Sequence, residues 1–316
     1  MVQTNMNIAV LSGKGGTGKT LLSVNMAAAS KFATYIDCDV EEPNGYLFFK
    51  PKEIVEENVF VKIPKVDKEL CNGCRKCVDF CKFNALAFIK KSPIVFGDIC
   101  HSCGGCLLLC PQKAITEIDK LIGKIEKGKS EGIDAYTGIL NTGEVSGVPI
   151  IQKLLEENRK LKKKIINRNE IIKNEIEKNI EENHEEKISI IDCPPGSACI
   201  VMESIKDADF CILVAEPTLF GAHNLEMVYE LVSLFGKPFG VVLNKCLEGL
   251  NPSEEFCNEK GIKILGKIPF EKELGELSSN AKIAARESEK YNKLFRDILE
   301  TVKGEVKNER ASCTEW

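Results

Sequence analysis

Short uninterrupted apolar runs alternate along this chain with stretches in which apolar residues recur at helical spacing, a pattern of strands and helices following one another. Ile8-Ala9-Val10-Leu11 predicts a buried strand and Leu21 to Ala29 the helix after it. Further strands are expected at Ala33-Thr34-Tyr35-Ile36, Ile188-Ser189-Ile190-Ile191, Phe210 to Ala215 and Gly240-Val241-Val242-Leu243. Glycines with short apolar stretches from Gly123 to Val145 predict a β-hairpin that returns to the core, and Val148 to about Leu161 predicts a helix. From about 160 to 187 Lys, Glu, Asn and Ile dominate. Leu154, Leu161, Ile165, Ile172, Ile176 and Ile180 keep helical spacing there, but Asn158, Arg168 and Glu175 interrupt a heptad seam, so the segment reads as a solvated helical excursion, with a partner-binding coiled coil as the alternative. Tyr291, Leu294, Phe295, Ile298, Leu299 and Val302 form one apolar helix face, which fits a closing helix packed on the sheet better than a membrane anchor.

Composition adds a second module. The 316 residues are 43% hydrophobic with net charge -4, enough for one α/β core plus a small domain. The first strand opens at about Asn7 and no apolar run approaches the roughly 20 residues that span a bilayer, so a cytoplasmic protein without stable membrane insertion is expected, and no nucleic acid partner. Fifteen cysteines in such a chain argue for metal over disulfides.

Gly13-Lys14-Gly15-Gly16-Thr17-Gly18-Lys19-Thr20 lies between the first strand and its helix, the setting a phosphate-binding loop requires. Glycines let successive N-H groups and the helix N-terminus face phosphate oxygens, Lys19 reaches the β and γ phosphates, and the Thr20 hydroxyl suits Mg²⁺. Lys14 resembles the extra lysine of the deviant Walker A motif in the MinD/ParA/nitrogenase-reductase superfamily. That resemblance implies an ATP-dependent homodimer in which Lys14 crosses to the partner's phosphates. Asp37-Cys38-Asp39, with Asn44 beyond, resembles the superfamily's switch I, which makes Asp39 the orienter of the attacking water and Asp37 its support. Asp192, followed by Cys193-Pro194-Pro195-Gly196, resembles Walker B fused to switch II. It implies that Asp192 holds Mg²⁺ through water and that the Gly196 N-H senses the γ phosphate. By the same resemblance Asn244 recognises adenine, favouring ATP over GTP, and Pro269 packs near the base.

Cys71, Cys74, Cys77 and Cys81 are followed by Cys100, Cys103, Cys106 and Cys110, each set spaced x2, x2, x3, the paired spacing of a bacterial-type ferredoxin with two 4Fe-4S clusters. In that pattern the fourth cysteine crosses over, so Cys71, Cys74, Cys77 and Cys110 form one ligand set and Cys100, Cys103, Cys106 and Cys81 the other. Zinc is the rival, since paired C-x2-C elements also bind it. Lys82 stands where a proline is usual after the fourth cysteine, which alters a turn and not ligation. Of the other seven, Cys38, Cys211, Cys246, Cys257 and Cys313 suggest no site, and Cys193 either assists Cys199 or packs. Cys199 lies seven residues past Asp192, as does a cluster ligand in nitrogenase reductase, so a metal shared across the dimer is a candidate beside the plain reading of a packed thiol. No ligand set includes His101, His184 or His223.

The expected fold is therefore α/β: a deviant Walker A P-loop NTPase with a mostly parallel sheet flanked by helices, in two pieces (1–64 and 118–316), around an inserted α+β ferredoxin domain (65–117). The motifs leave three readings: an ATPase coupling nucleotide state to low-potential electron transfer with an unidentified redox partner, an ATPase of metallocluster assembly serving a metalloprotein client, or a positioning ATPase of the ParA/MinD type.

Overall fold

The fold was obtained as a computed structural model and is described over residues 6–30, 32–175 and 187–312. β1 (Met6–Leu11) leads to α1 (Lys19–Ala29), β2 (Ala33–Asp37), the short α2 (Gly45–Phe49) and a long β3 (Lys52–Val66). An insert follows with α3 (Lys76–Phe80), the strand pair β4 (Leu86–Ile89) and β5 (Ser92–Val95), a 3-10 turn at Gly97–Ile99, and α4 (Gly105–Leu108). β6 (Ile115–Ser130) and β7 (Ile133–Leu140) return, and α5 (Val148–Glu175) precedes β8 (Ile188–Asp192). Then come α6 (Cys199–Ile205), β9 (Phe210–Ala215), α7 (Leu219–Leu234), β10 (Phe239–Cys246), α8 (Pro252–Lys260), β11 (Ile264–Pro269), α9 (Lys272–Ser279), α10 (Ala284–Glu287) and α11 (Glu289–Ser312).

Nine strands form one sheet in the order β11-β10-β9-β1-β8-β2-β7-β6-β3. From β11 to β7 all neighbours are parallel, and β6 and β3 add an antiparallel edge. The central strands β1, β2, β8 and β9 are buried along their whole length, as strands covered by helices on both faces must be. Alternation sorts their side chains. Ile8 and Val10 join the core beneath α1 and α11, whereas Ala9 and Leu11 join the core beneath α5, α6, α7 and α8. α11 buries Tyr291, Phe295, Ile298, Leu299 and Val302 in the first of these cores, so that apolar face closes the fold. Among the described residues no helix is long and apolar enough to cross a membrane.

Two expectations needed revision. The hairpin predicted at Gly123 to Val145 forms between β6 and β7, but β6 begins at Ile115 because its first half pairs along β3. The strand β3 itself was missed. Its alternating Val59, Val61 and Ile63 were the available signal, masked by glutamates around them. The helix after Val148 continues to Glu175; the rest of the charged excursion, with Ile176, Ile180 and His184, lies outside the described residues, as does Cys313.

Residues 67–114 therefore sit at the end of a two-stranded ribbon formed by β6 and the edge strand β3 of the main sheet. Their small core contains Cys77, Leu86 and Cys106, packed with Ile115 at the start of β6.

Candidate functional site

Gly18 precedes α1 at its N-cap, has φ 97° and offers no capping side chain, so the first N-H groups of the helix are open toward the loop. Glycine is required there twice over: the backbone is left-handed, and an added Cβ would stand 2.1 Å from Nδ2 of Asn244. Gly13 is equally confined, against the backbone of Asn224. Gly15 and Gly16, by contrast, face open space. Lys19 and Thr17 are buried, and the Thr17 hydroxyl has no hydrogen-bond partner. Such an orphan in a loop of open amides fits a phosphate-bearing ligand.

Parallel pairing of β2 with β8 puts Asp37 beside Asp192 at adjacent strand ends. Both carboxyls are buried, and burial holds each above the usual carboxylate range. Lys19, with the hydroxyls of Thr20, Tyr35 and Ser23, opposes the shift at Asp192. Asp192 Oδ2 accepts a 2.9 Å hydrogen bond from Tyr35, while Oδ1 has no partner. The unpartnered Oδ1 of the buried Asp192, beside Lys19 and the Thr20 hydroxyl, is an oxygen donor suited to a hard divalent cation such as Mg²⁺.

Asp37 is engaged with the backbone of the loop that follows β2. Its Oδ2 accepts from the backbone N-H groups of Asn44 (3.1 Å) and Gly45 (2.8 Å), and Oδ1 from that of Asp39 (3.2 Å). It shapes the loop that carries Asp39. Asp39 is half-exposed, and burial pushes its carboxyl up to about 6 against the pull of Lys19. That value leaves it mostly ionised near neutrality and able to hold a water.

Other predicted residues have partners within the protein. The Gly196 N-H donates to Ser12 O at 2.9 Å, and Asn244 Nδ2 donates to Thr17 O at 2.6 Å, bracing the loop. Pro269 is half-buried at the end of β11, paired with Cys246. Lys14 ends 2.7 Å from Glu216 Oε2, and Lys245 lies 2.6 Å from Oε1 and 2.8 Å from Gly16 O. Burial would raise the Glu216 carboxyl, but the two ammonium groups outweigh it and hold it low. Glu216, Lys245 and Tyr35 were not singled out in the sequence, because they carry no motif of their own.

The eight cysteines of the insert line two separate cavities. One is bounded by Cys71, Cys74, Cys77 and Cys110 and the other by Cys81, Cys100, Cys103 and Cys106, each set combining thiols from both halves of the repeat. Lys82 and His101 line the second, with His101 stacked on Phe83. Among the described residues no group of three or more His, Cys, Asp or Glu is close enough to hold a metal ion. Cys199 is exposed at the first residue of α6, whereas Cys38, Cys193, Cys211 and Cys257 are buried in the core.

Comparison with known proteins agrees with this geometry. "Uncharacterized protein MJ0578" of Methanocaldococcus jannaschii is 30% identical over 303 residues, covering 94% of this chain and 96% of that protein. A weaker match, 25% identical over 135 residues, is the "Iron-sulfur cluster carrier protein" of the same organism, with 36% of this chain and 47% of that one covered. The septum site-determining protein MinD of Pyrococcus horikoshii, solved with Mg-ADP, superposes with a TM-score of 0.54 at 16% identity over 95% of this chain and 96% of that one, a likeness of fold. The profile of the CobQ/CobB/MinD/ParA nucleotide binding domain matches residues 8–284. Phosphate loop, paired aspartates and parallel sheet thus belong together, and the chain is a member of the CobQ/CobB/MinD/ParA nucleotide-binding family.

Proposed function

We propose that this protein is a Mg²⁺-dependent, dimeric ATPase whose nucleotide state controls low-potential electron transfer through two 4Fe-4S clusters held by residues 67–114. One observation carries the reading: the eight cysteines divide into two four-thiol cavities, and the strands that hold them belong to the sheet that ends in the phosphate loop. Ligands of a cubane each bind a different iron and therefore stand apart around a cavity, whereas zinc ligands converge to within about 2.3 Å of one ion. Thiols spread round a cavity suit the cubane. When bound, such clusters supply one-electron chemistry at low potential.

The residues of the ATP site divide the remaining work. Gly13 to Lys19 wrap the phosphates, Lys19 compensates their charge, and Thr20, with Asp192 through water, completes the Mg²⁺ site. Asp39 orients the attacking water and Asp37 holds its loop. Lys14 leaves Glu216 to reach the phosphates of a second copy. Gly196 exchanges its Ser12 bond for the γ phosphate, and so reports its presence. Asn244 and Pro269 face the adenine. Leu219, Phe220, Leu247, Leu250 and Phe270 are exposed just beyond β9, β10 and β11, an apolar rim suited to that second copy.

A metallocluster-assembly role is the second reading, favoured by the likeness to an iron-sulfur cluster carrier and by the exposed Cys199. Here Cys199 pairs with its equivalent across the dimer to hold transferable metal. A Cys199→Ser dimer that keeps the insert's iron but loses further bound metal supports it; unchanged metal content rejects it.

The deciding experiment is an anaerobic, EPR-monitored redox titration with and without Mg²⁺ and a non-hydrolysable ATP analogue. A nucleotide-dependent shift in a cluster's potential or signal supports gating, and identical titrations reject it.

A further inference from the structure

We propose that Lys120 is the positioning residue through which the nucleotide state felt at Asp39 reaches the Cys100 loop, an inference that rests on the gated reading above. Val40, next to Asp39, is fully buried, and its carbonyl accepts the Leu140 N-H at 2.9 Å. Its side chain fills the space left by two glycines: an added Cβ would come within 2.7 Å of it at Gly138 and 2.3 Å at Gly147. A shift of the Asp39 loop therefore cannot be absorbed locally and must move residues 141–147.

That loop carries Glu144, whose carboxylate is 13% exposed and accepts from Lys120 Nζ at 2.9 Å. The same ammonium donates to Gly97 O at 3.2 Å and stands 3.0 Å from Asp98 Oδ1. Gly97 O also accepts the Cys100 N-H at 3.3 Å, so one ammonium joins the loop after β7 to the backbone turn that positions a cysteine of the second cavity. Asp98 is 90% exposed and its pair contributes little; the half facing Glu144 is the strong one, because both side chains there are largely removed from water. Burial pulls the Lys120 pKa down, but Glu144 and Asp98 more than reverse it, so the link stays charged.

The ribbon is also jointed at this level. Pairing of β3 with β6 slips between Val59 and Phe60, which face Gly123 and Leu121, leaving Ile122 as a bulged residue two positions from Lys120. The Ile122 carbonyl accepts the Asn141 N-H at 2.9 Å. A bulge bends its strand, and this one is fastened to the loop that would move.

The test is anaerobic hydrogen-deuterium exchange of the full-length, iron-loaded protein with and without adenylyl imidodiphosphate and Mg²⁺, beside the cluster potentials. In the wild type the analogue changes exchange at amides 97–102 at least threefold. Lys120→Met keeps its iron content and binds the analogue within about twofold, but loses that change and the nucleotide-dependent shift in potential; Lys120→Arg restores both. Should Lys120→Met lose iron, Glu144→Gln makes the same cut from the ATPase side. A change that survives these substitutions overturns the relay. So does its absence from a wild type that binds analogue and shifts its cluster potentials, which would leave gating intact by another route. A wild type that binds no nucleotide overturns the ATPase reading and the relay together.

Discussion

Lys14 Nζ lies 2.7 Å from Oε2 of Glu216, so the lysine that distinguishes this phosphate loop is held by its own chain. Glu216 also binds Lys245, which in turn holds the loop at Gly16. Reaching a second copy requires Lys14 to leave this pair. Lys14 is 39% exposed, so its share of the attraction is at most about 1 kcal/mol, or roughly fivefold in an equilibrium. Glu216→Gln is expected to dimerise with ATP at about fivefold lower protein concentration, as read by analytical ultracentrifugation. Dimerisation weakened by this substitution would mean that Glu216 acts across the interface.

Tyr35 and Asp192, 157 residues apart, share a buried 2.9 Å hydrogen bond. Tyr35→Phe leaves Oδ2 of a buried carboxylate without its donor, at a cost of about 1–3 kcal/mol in urea unfolding at pH 7. Added Mg²⁺ and nucleotide should recover part of that loss by occupying the same carboxylate. An unchanged unfolding midpoint would show that water takes the place of the hydroxyl.

Asp39, pushed up to about 6, sets an acid limb. Hydrolysis should fall as pH drops through about 6 and the carboxyl takes up its proton, and Asp39→Asn should lose at least about a hundredfold in rate while still binding ATP. The stability effect has the opposite direction. Between the ordinary value of 3.8 and about 6 the folded state binds more protons than the unfolded one, so this group's contribution to stability falls as pH rises through that window. Discounted for the solvent screening of a partly exposed group, Asp39→Asn should stabilise the protein by about 1 kcal/mol at pH 7, with no gain near pH 4. A melting-temperature series across that range checks it.

The crossed cysteine sets make a prediction about pairs of substitutions. Cys71→Ser and Cys110→Ser each remove a ligand from one cavity, so the double variant should keep about half the wild-type iron, as the single variants do. Cys71→Ser with Cys81→Ser strikes both cavities and should lose nearly all of it. Iron and sulfide analysis after anaerobic purification distinguishes these outcomes. If the first double variant also loses everything, each cluster draws its ligands from one half of the repeat.

What the sequence determined by itself was local. The phosphate loop between Leu11 and Lys19, the spacing of the eight cysteines and the solid apolar strands are runs of adjacent residues, and physics acts on them within one turn or one strand. Helical spacing likewise marked α11, whose Tyr291 and Phe295 close the core. Tertiary structure decided the rest. Asp37 meets Asp192 because β2 and β8 are neighbours in the sheet, Glu216 clamps Lys14 and Lys245 because β9 and β10 end beside the loop, and Lys120 meets both Glu144 and Gly97 because β6 pairs with β7 on one side and with β3 on the other. These partners lie from 23 (Lys120 and Gly97) to 202 (Lys14 and Glu216) residues apart, and isolated polar residues follow no period. Their chemistry exists only once burial has removed the water that would otherwise satisfy them.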